Sequence, residues 1–321
     1  MFKNTNKSFL STPIFRGNSS FGLDISDESI KFIELIKTKE GLRVGKYGEY
    51  KIPAGVIEAG EIIEPVFLEK ILIDLRKKEG IKSAYISLPE KQIHILRLKL
   101  DKSGSKNIKK GIENALEYNI SMSAQNFVFD FKLLNETKQI WDVQVVVILK
   151  NIMDGYASVF KNSKIFVLSF ESKAQALARA TLEKGDLETC MIVDLGVEST
   201  TISIVSGRVV VLDSSFDMGG SMFVDRAHVL RDEISKHFLH WCVYKDEEDK
   251  GRPIITKIIL CGGGLNLIGL AEYLSAGLKN KVEVANVWTN IVDTDKFIPE
   301  IDFKQSLTFA TALGLALKGF K

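Results

Sequence analysis

Gly22-Leu23-Asp24-Ile25, a polar turn Ser26-Asp27-Glu28-Ser29 and an apolar run from Ile30 to Ile36 open the chain's regular pattern. The same theme returns 170 residues later as Met191-Ile192-Val193-Asp194-Leu195-Gly196, a turn over Val197 to Ser199, and the runs Thr200 to Val205 and Arg208 to Asp213. Each copy reads as a strand, a tight turn and a second strand. A duplication of this length predicts an α/β protein with two similar lobes facing one cleft. An Asp at a strand end followed by small polar residues suits phosphate chemistry, because the turn aims backbone N–H groups at an anion while the carboxylate holds Mg²⁺. Asp194, Gly196, Ser199, Thr200 and Thr201 fit that need well. Asp24 fits less well, because Ser26 stands in place of glycine and Asp27 and Glu28 lie where phosphates would come.

Working outward, Val44 to Ile52 extends the first meander. Pro65 at a first-turn position, Leu68, Ile71, Leu72 and Leu75 at helical spacing, and Gly80 as a stop predict an amphipathic helix. Ala84 to Leu88 is a strand ended by Pro89. Then the rhythm changes: strand Ile93 to Leu98, a helix carrying Ile108, Ile112, Ala115 and Leu116, strands Phe127 to Leu134 and Val143 to Leu149, and a helix near Met153 to Phe160. Such a block makes a small α+β unit of its own. Strand Lys164 to Leu168 and a helix from Glu171 to Lys184, stopped by Gly185, return the chain to the first lobe. Helices Val224 to about Cys242, Leu265 to Leu278 and Lys304 to Lys318, with strand Thr256 to Leu260, complete the second half. The expected division is a loose tail over 1–20, a first lobe over 21–89 and 164–185, an inserted subdomain over 90–163, and a second lobe over 186–321.

The 321 residues are 45% hydrophobic and 26% charged, with 43 basic and 41 acidic side chains, so the composition is globular and the net charge only +2. No single-sign field draws the chain to nucleic acid or acidic lipid. Cys190, Cys242 and Cys261 are odd in number and set among apolar residues, which suits reduced thiols in a cytoplasmic core. The longest apolar runs fall far short of the ~20 residues of a membrane helix. Phe2, Phe9, Leu10, Ile14 and Phe15 in the opening segment sustain no helical stripe.

The remaining chemistry is sparse. Cys261-Gly262-Gly263-Gly264 lies between a strand and a helix, where glycines let backbone approach a base, ribose or phosphate, or let helix and strand pack tightly. Gly219-Gly220 is a similar pair. His237 and His240 with Cys242 fall short of a metal ligand set, and their neighbours Phe238, Leu239 and Trp241 argue for an amphipathic helix. His94 and His228 have no partner for a triad. Asp246 to Asp249 reads as a solvated loop.

Phe21 to Leu35, Ile52 to Ile62, Thr201 to Gly207, Ile259 to Gly264, Val282 to Asn286 and Ala310 to Gly319, in this order, resemble one family: PilM, the actin-like cytoplasmic protein of type IV pilus assembly, itself similar to the division protein FtsA. The resemblance runs from about Phe21 to the C-terminus. It implies the actin-like, ribonuclease H-like fold with duplicated Asp hairpins and an inserted α+β subdomain. It also implies nucleotide contacts from Asp24, Ser26, Lys31, Asp194, Gly196, Thr200, Gly262, Gly263 and Gly264, with Mg²⁺ at Asp24 and Asp194. Glu171 to Ala178 resembles a Glu-Pro-x-Ala-Ala-Ala-Leu-Ala segment of chaperone ATPases, in which Glu171 would orient metal or water. The family departures are Ser26-Asp27-Glu28, Ser172 in place of proline, and a short second-lobe insertion between Ser221 and Ile255 without a clear Glu and Lys pair for adenosine. The expectation is ATP binding that is weak or conditional, with little or no hydrolysis.

The implied role is a cytoplasmic adaptor, peripheral at the inner membrane. It docks on the N-terminal tail of a PilN-like bitopic protein and contacts the pilus platform and motor, with self-association open. The tail would lie in a groove bounded by Ala84 to Leu88, Ile93 to Leu98 and the helix carrying Ile108, Ile112 and Leu116. The alternatives are an FtsA-like filament-forming ATPase, which would normally carry an amphipathic helix beyond Lys321, and a sugar or carboxylate kinase, which needs a positioned general base that no motif here supplies.

Overall fold

The computed structural model describes residues 17–105, 107–120, 125–223, 225–243, 253–265, 269–291 and 301–320. The apolar residues of the opening segment and the acidic run at 246–249 lie outside them. In chain order the elements are β1 (Ser19–Ile25), β2 (Ser29–Thr38), β3 (Gly41–Lys51), a small hairpin of β4 (Ile57–Glu58) and β5 (Glu61–Ile62), α1 (Pro65–Glu79), β6 (Ser83–Leu88), β7 (Ile93–Asp101), α2 (Ile108–Ile120), β8 (Phe127–Glu136), β9 (Ile140–Leu149), α3 (Lys150–Asn162), β10 (Phe166–Ser172) and α4 (Lys173–Thr181). There follow β11 (Thr189–Leu195), β12 (Thr200–Ser206), β13 (Val209–Phe216), α5 (Ala227–Val243), β14 (Ile255–Cys261), α6 (Leu270–Leu278), β15 (Lys281–Val284), α7 (Phe303–Thr308) and α8 (Ala310–Leu317).

The duplication is visible in the sheets. One has the order β3-β2-β1-β6-β10 and the other β13-β12-β11-β14-β15, so the two have the same connectivity. In each, an antiparallel meander is followed by two parallel strands. The two Asp hairpins close alike: Ser26 N–H donates to Ser29 O at 2.9 Å and Gly196 N–H to Ser199 O at 2.9 Å. A third sheet, β7-β9-β8, is the inserted α+β unit. Its Val143, Val145 and Val147 pack under Ile112 and Leu116 of α2, while Val146 and Ile148 on the opposite face join the core of the first sheet. Period-2 alternation in β9 thus serves two cores at once.

Helix α1 follows its end signals, whereas α4, expected over Glu171 to Lys184 with Gly185 as its stop, runs only from Lys173 to Thr181, because Glu171 and Ser172 still belong to β10 and Leu182 is already extended. Pro65 begins α1 and Gly80, in left-handed conformation at φ 78°, ends it by donating to Arg76 O. Leu68, Leu72 and Leu75 of α1, with Tyr156, Val159 and Phe160 of α3, cover one face of the first sheet against Leu23, Ile25, Ile30 and Phe32. The opposite face, through Ile33 and Leu35, shares a core with Ile192 and Ile259 of the second sheet. Between the sheets lie α4 and α8, every residue of α8 being buried. The predicted helix over Lys304 to Lys318 is two helices, broken at Phe309 (φ −102°, ψ 6°). Although last in sequence, α8 packs on β1, β2, β6 and α4 of the first lobe. Cys190 and Cys261 are buried free thiols, whereas Cys242, expected in the core, is exposed at the end of α5.

Candidate functional site: the cleft between the Asp loops

The cleft lies where the C-terminal ends of β1 and β11 meet. Strand register fixes the residue facing each Asp across its hairpin: Lys31 opposite Asp24, and Thr201 opposite Asp194. The lining includes Asp24, Ser26, Lys31, Asp194, Gly196, Gly262 and Gly263, seven of the nine residues expected at a nucleotide. The other two turn elsewhere. Thr200 is fully buried and donates to Met218 O at 2.6 Å. Alternation therefore presents Thr201 to the cleft. Gly264 N–H donates to Leu195 O at 2.7 Å, and a Cβ there would stand 2.4 Å from Gly196 O. Gly262, at φ +99°, would press a Cβ to 2.3 Å from Asp194 Oδ1. Two of the three consecutive glycines thus let loops pack backbone on backbone.

Glu171 is not among the lining residues. Its Oε1 is 2.5 Å from Arg179 Nη2 and 3.4 Å from Lys318 Nζ, a buried ion cluster beside the helices between the sheets. Ser172 caps α4 by accepting from Gln175 N–H at 3.3 Å.

Sequence reasoning missed Lys173, Ser87, Glu90 and Asp213. Lys173 Nζ lies 3.1 Å from Asp24 Oδ1, with side chains 14% and 12% exposed. Ser87 Oγ donates to the same Oδ1 at 2.9 Å and accepts from Ile25 N–H at 2.9 Å. Burial would raise the Asp24 carboxyl, but Lys173, Lys31 and the Ser87 hydroxyl outweigh it and hold the pKa below the ordinary value. Glu90, just after Pro89, accepts from the Thr201 hydroxyl at 2.7 Å and so ties the start of the inserted unit to the second lobe. Burial, then Asp213, push Glu90 up to about 8 against the pull of Lys173. Burial likewise raises Asp194 to about 6, Lys173 opposing and Asp24 adding. Asp213 rises to about 7 through burial, although it accepts from Ser203 Oγ at 2.6 Å. Lys173 is itself raised: burial disfavours its charge, but Asp24, Glu90 and Asp194 prevail.

At the mouth, the repeat-equivalent residues Glu28 and Glu198 meet, and Glu28 pushes the Glu198 pKa up. Lys91, at the start of the inserted unit, pairs with Asp217 of the second lobe at 2.7 Å. The lining carries six carboxylates, from Asp24, Asp27, Glu28, Glu90, Asp194 and Glu198, against the three lysines Lys31, Lys91 and Lys173. With Glu90 mostly protonated at neutral pH, the five remaining carboxylates still outnumber the three lysines, and that weakens the hold on a polyphosphate. The lining also fits Mg²⁺ poorly, since Asp24 is already held by Lys173 and Ser87, and no group of three or more His, Cys, Asp or Glu among the described residues is arranged to hold a metal.

Two other expectations concern surfaces. Strand β6, expected to border a docking groove, lies inside its sheet between β1 and β10 with Ala84, Tyr85, Ile86 and Leu88 buried, so it offers no surface. A concavity does lie at the start of α2, lined by Asn107, Ile108, Lys109, Lys110, Glu113 and Phe131. Among the described residues no helix is long and apolar enough to cross a membrane.

Two sheets of identical order, paired Asp hairpins facing one cleft and an inserted α+β unit define a protein of the actin-like ATPase fold. A solved structure of a PilM-PilN type IV pilus biogenesis complex is 19% identical, with a TM-score of 0.75 over 96% of this chain and 100% of that one. The ethanolamine utilization protein EutJ from Carboxydothermus hydrogenoformans is 14% identical, with a TM-score of 0.51 over 96% and 94%. No curated protein matches the sequence. The family described as type IV pilus assembly protein PilM matches residues 22–232. The chain belongs to that family, and its general role is in type IV pilus assembly.

Proposed function

We propose that this chain is an adaptor that works by docking rather than by catalysis, held at the inner membrane through the cytoplasmic tail of a PilN-like bitopic partner and linking it to the pilus platform and motor. The observation that carries the reading is the match to the PilM family over residues 22–232, joined to a cleft whose lining is acidic and carries its own lysine. ATP binds that cleft weakly through the second Asp loop and Gly262 to Gly263, with negligible turnover, because phosphates meet Asp27, Glu28 and Glu198. The lobe and subdomain boundaries at 89/90, 163/164 and 185/186 are part of this proposal, with α8 serving the first lobe.

The tail docks on the concavity at the start of α2, where Ile108 and Phe131 supply apolar anchors and Lys109 and Lys110 supply charge. A short peptide gains affinity from a few such anchors in a preformed groove. The test is a pull-down with the N-terminal tail of the bitopic protein encoded beside this chain, repeated with Ile108→Asp and Phe131→Asp. Retention by the native chain and loss in the variants supports the reading. Equal retention by all moves the interface elsewhere, and no retention by any undermines the adaptor role.

A further inference from the structure

Lys173 is the first residue of α4, where the positive end of the helix dipole disfavours a cation. Its ammonium nonetheless lies 3.1 Å from Asp24 Oδ1, largely removed from solvent. Asp194 and Glu90 add their fields to that of Asp24 at the same ammonium. Glu90 Oε2 is held by Thr201, while Glu90 Oε1 is buried without a hydrogen-bond partner among the described residues. Carboxyl groups from the ends of β1, β6 and β11 therefore share the cleft with one amine from α4, which contacts the first of them. A divalent ion bridging Asp24 and Asp194 would have to share their field with that ammonium. Withdrawing the lysine would leave the buried Asp24 with the Ser87 hydroxyl and the field of Lys31 but no ion-pair partner, which is unfavourable.

We infer that Lys173 is the resident cation of the cleft: paired with Asp24 and sharing the cleft with Asp194 and Glu90, it supplies their counter-charge without metal and excludes a divalent ion from the space between the two Asp loops. The role belongs to the cleft alone and does not depend on where a partner docks.

The test uses the full chain, stripped with chelator and titrated with Mn²⁺, free metal being followed by its paramagnetic resonance signal. Native protein and Lys173→Arg, which keeps the charge, are expected to show no stoichiometric site up to millimolar Mn²⁺. Lys173→Met is expected to gain one site at least about tenfold tighter, since a vacated carboxylate cluster is a ligand set for a hard cation. The gained site should vanish again in Lys173→Met/Asp24→Asn. One Mn²⁺ bound by the native chain at micromolar affinity overturns the inference, and so does a folded Lys173→Met that gains nothing. If Lys173→Met does not fold alone, recovery of its circular dichroism on adding Mn²⁺ supports the inference and failure to recover overturns it.

Discussion

At the residue scale, Glu90 makes the cleft's electrostatics measurable. Its pKa, pushed up to about 8 by burial and then by Asp213, lies above that of the unfolded chain. The folded protein thus holds this proton more tightly, so the contribution to stability is complete below the ordinary glutamate value and lost as pH rises through about 8. Asp194 at about 6 and Asp213 at about 7 act in the same sense. Asp24 acts oppositely: its lowered pKa gives stability above the ordinary aspartate value that disappears on further acidification. The urea midpoint should therefore fall between about pH 5 and pH 8. Glu90→Gln, which still accepts from Thr201 but cannot ionise, should flatten that fall and stabilise the protein at high pH by on the order of 1–3 kcal/mol. An unchanged slope would assign the titration to other groups. The Asp and Gly positions of this site were legible because their residue types announce a turn. Lys173 and Glu90 were not, because a lysine or glutamate beside a strand end is ordinarily solvated and only tertiary approach gives it a partner.

Among the elements, the last helix carries the sharpest consequence. Helix α8 lies so close to β1 that a Cβ on Gly22 would stand 2.0 Å from Ala312 O, and one on Gly314 would stand 1.9 Å from Ala176 O of α4. Backbone is met in both cases, so no side chain can swing aside. Gly22→Ala and Gly314→Ala should each destabilise by about 1–3 kcal/mol or more. Chemical unfolding with an unchanged denaturant slope is the expected signature, and a midpoint equal to the native one would mean that α8 sits farther from the sheet. The helical pattern of Ala310 to Leu317 was plain in the sequence, but its lobe was not. A helix that is apolar all round reports burial without saying against what. The break at Phe309 was equally hidden, because no proline or glycine marks it and Asp302 caps only the shorter helix before it.

For the whole molecule, the duplicated sheets face each other across a lining in which carboxylates outnumber lysines. Calorimetry with Mg·ATP should give an affinity weaker than micromolar, and steady phosphate release should stay at the level of a blank. Sub-micromolar binding or sustained turnover would mean that Asp27, Glu28 and the short second-lobe insertion do not weaken the site. The ion pair Lys91–Asp217 links the inserted unit to the second lobe, but with side chains 36% and 80% exposed it is screened by water. Lys91→Ala should therefore shift stability by less than about 1 kcal/mol, a thermal unfolding measurement being sufficient. A larger loss would mean that this pair, more than Thr201–Glu90, holds the inserted unit against the second lobe.

The sequence alone determined the duplication, the two Asp hairpins, the inserted unit and the family, because each is written in short-range periodicity, turn residues and the order of motifs. Tertiary structure decided which residues share the cleft. The duplicated hairpins already placed Asp24, Asp194 and Thr201 at one cleft, but Ser87, Glu90 and Lys173 join them only through sheet order and a helix starting at one strand's end, and no local pattern records that convergence. Thr201 rather than Thr200 faces the cleft because strand pleating alternates sides, and Glu171 turns into the core because Arg179 and Lys318 neutralise it there. Asp24 meets an ammonium instead of solvent because folding carries Lys173 to it, and burial then makes that pairing obligatory.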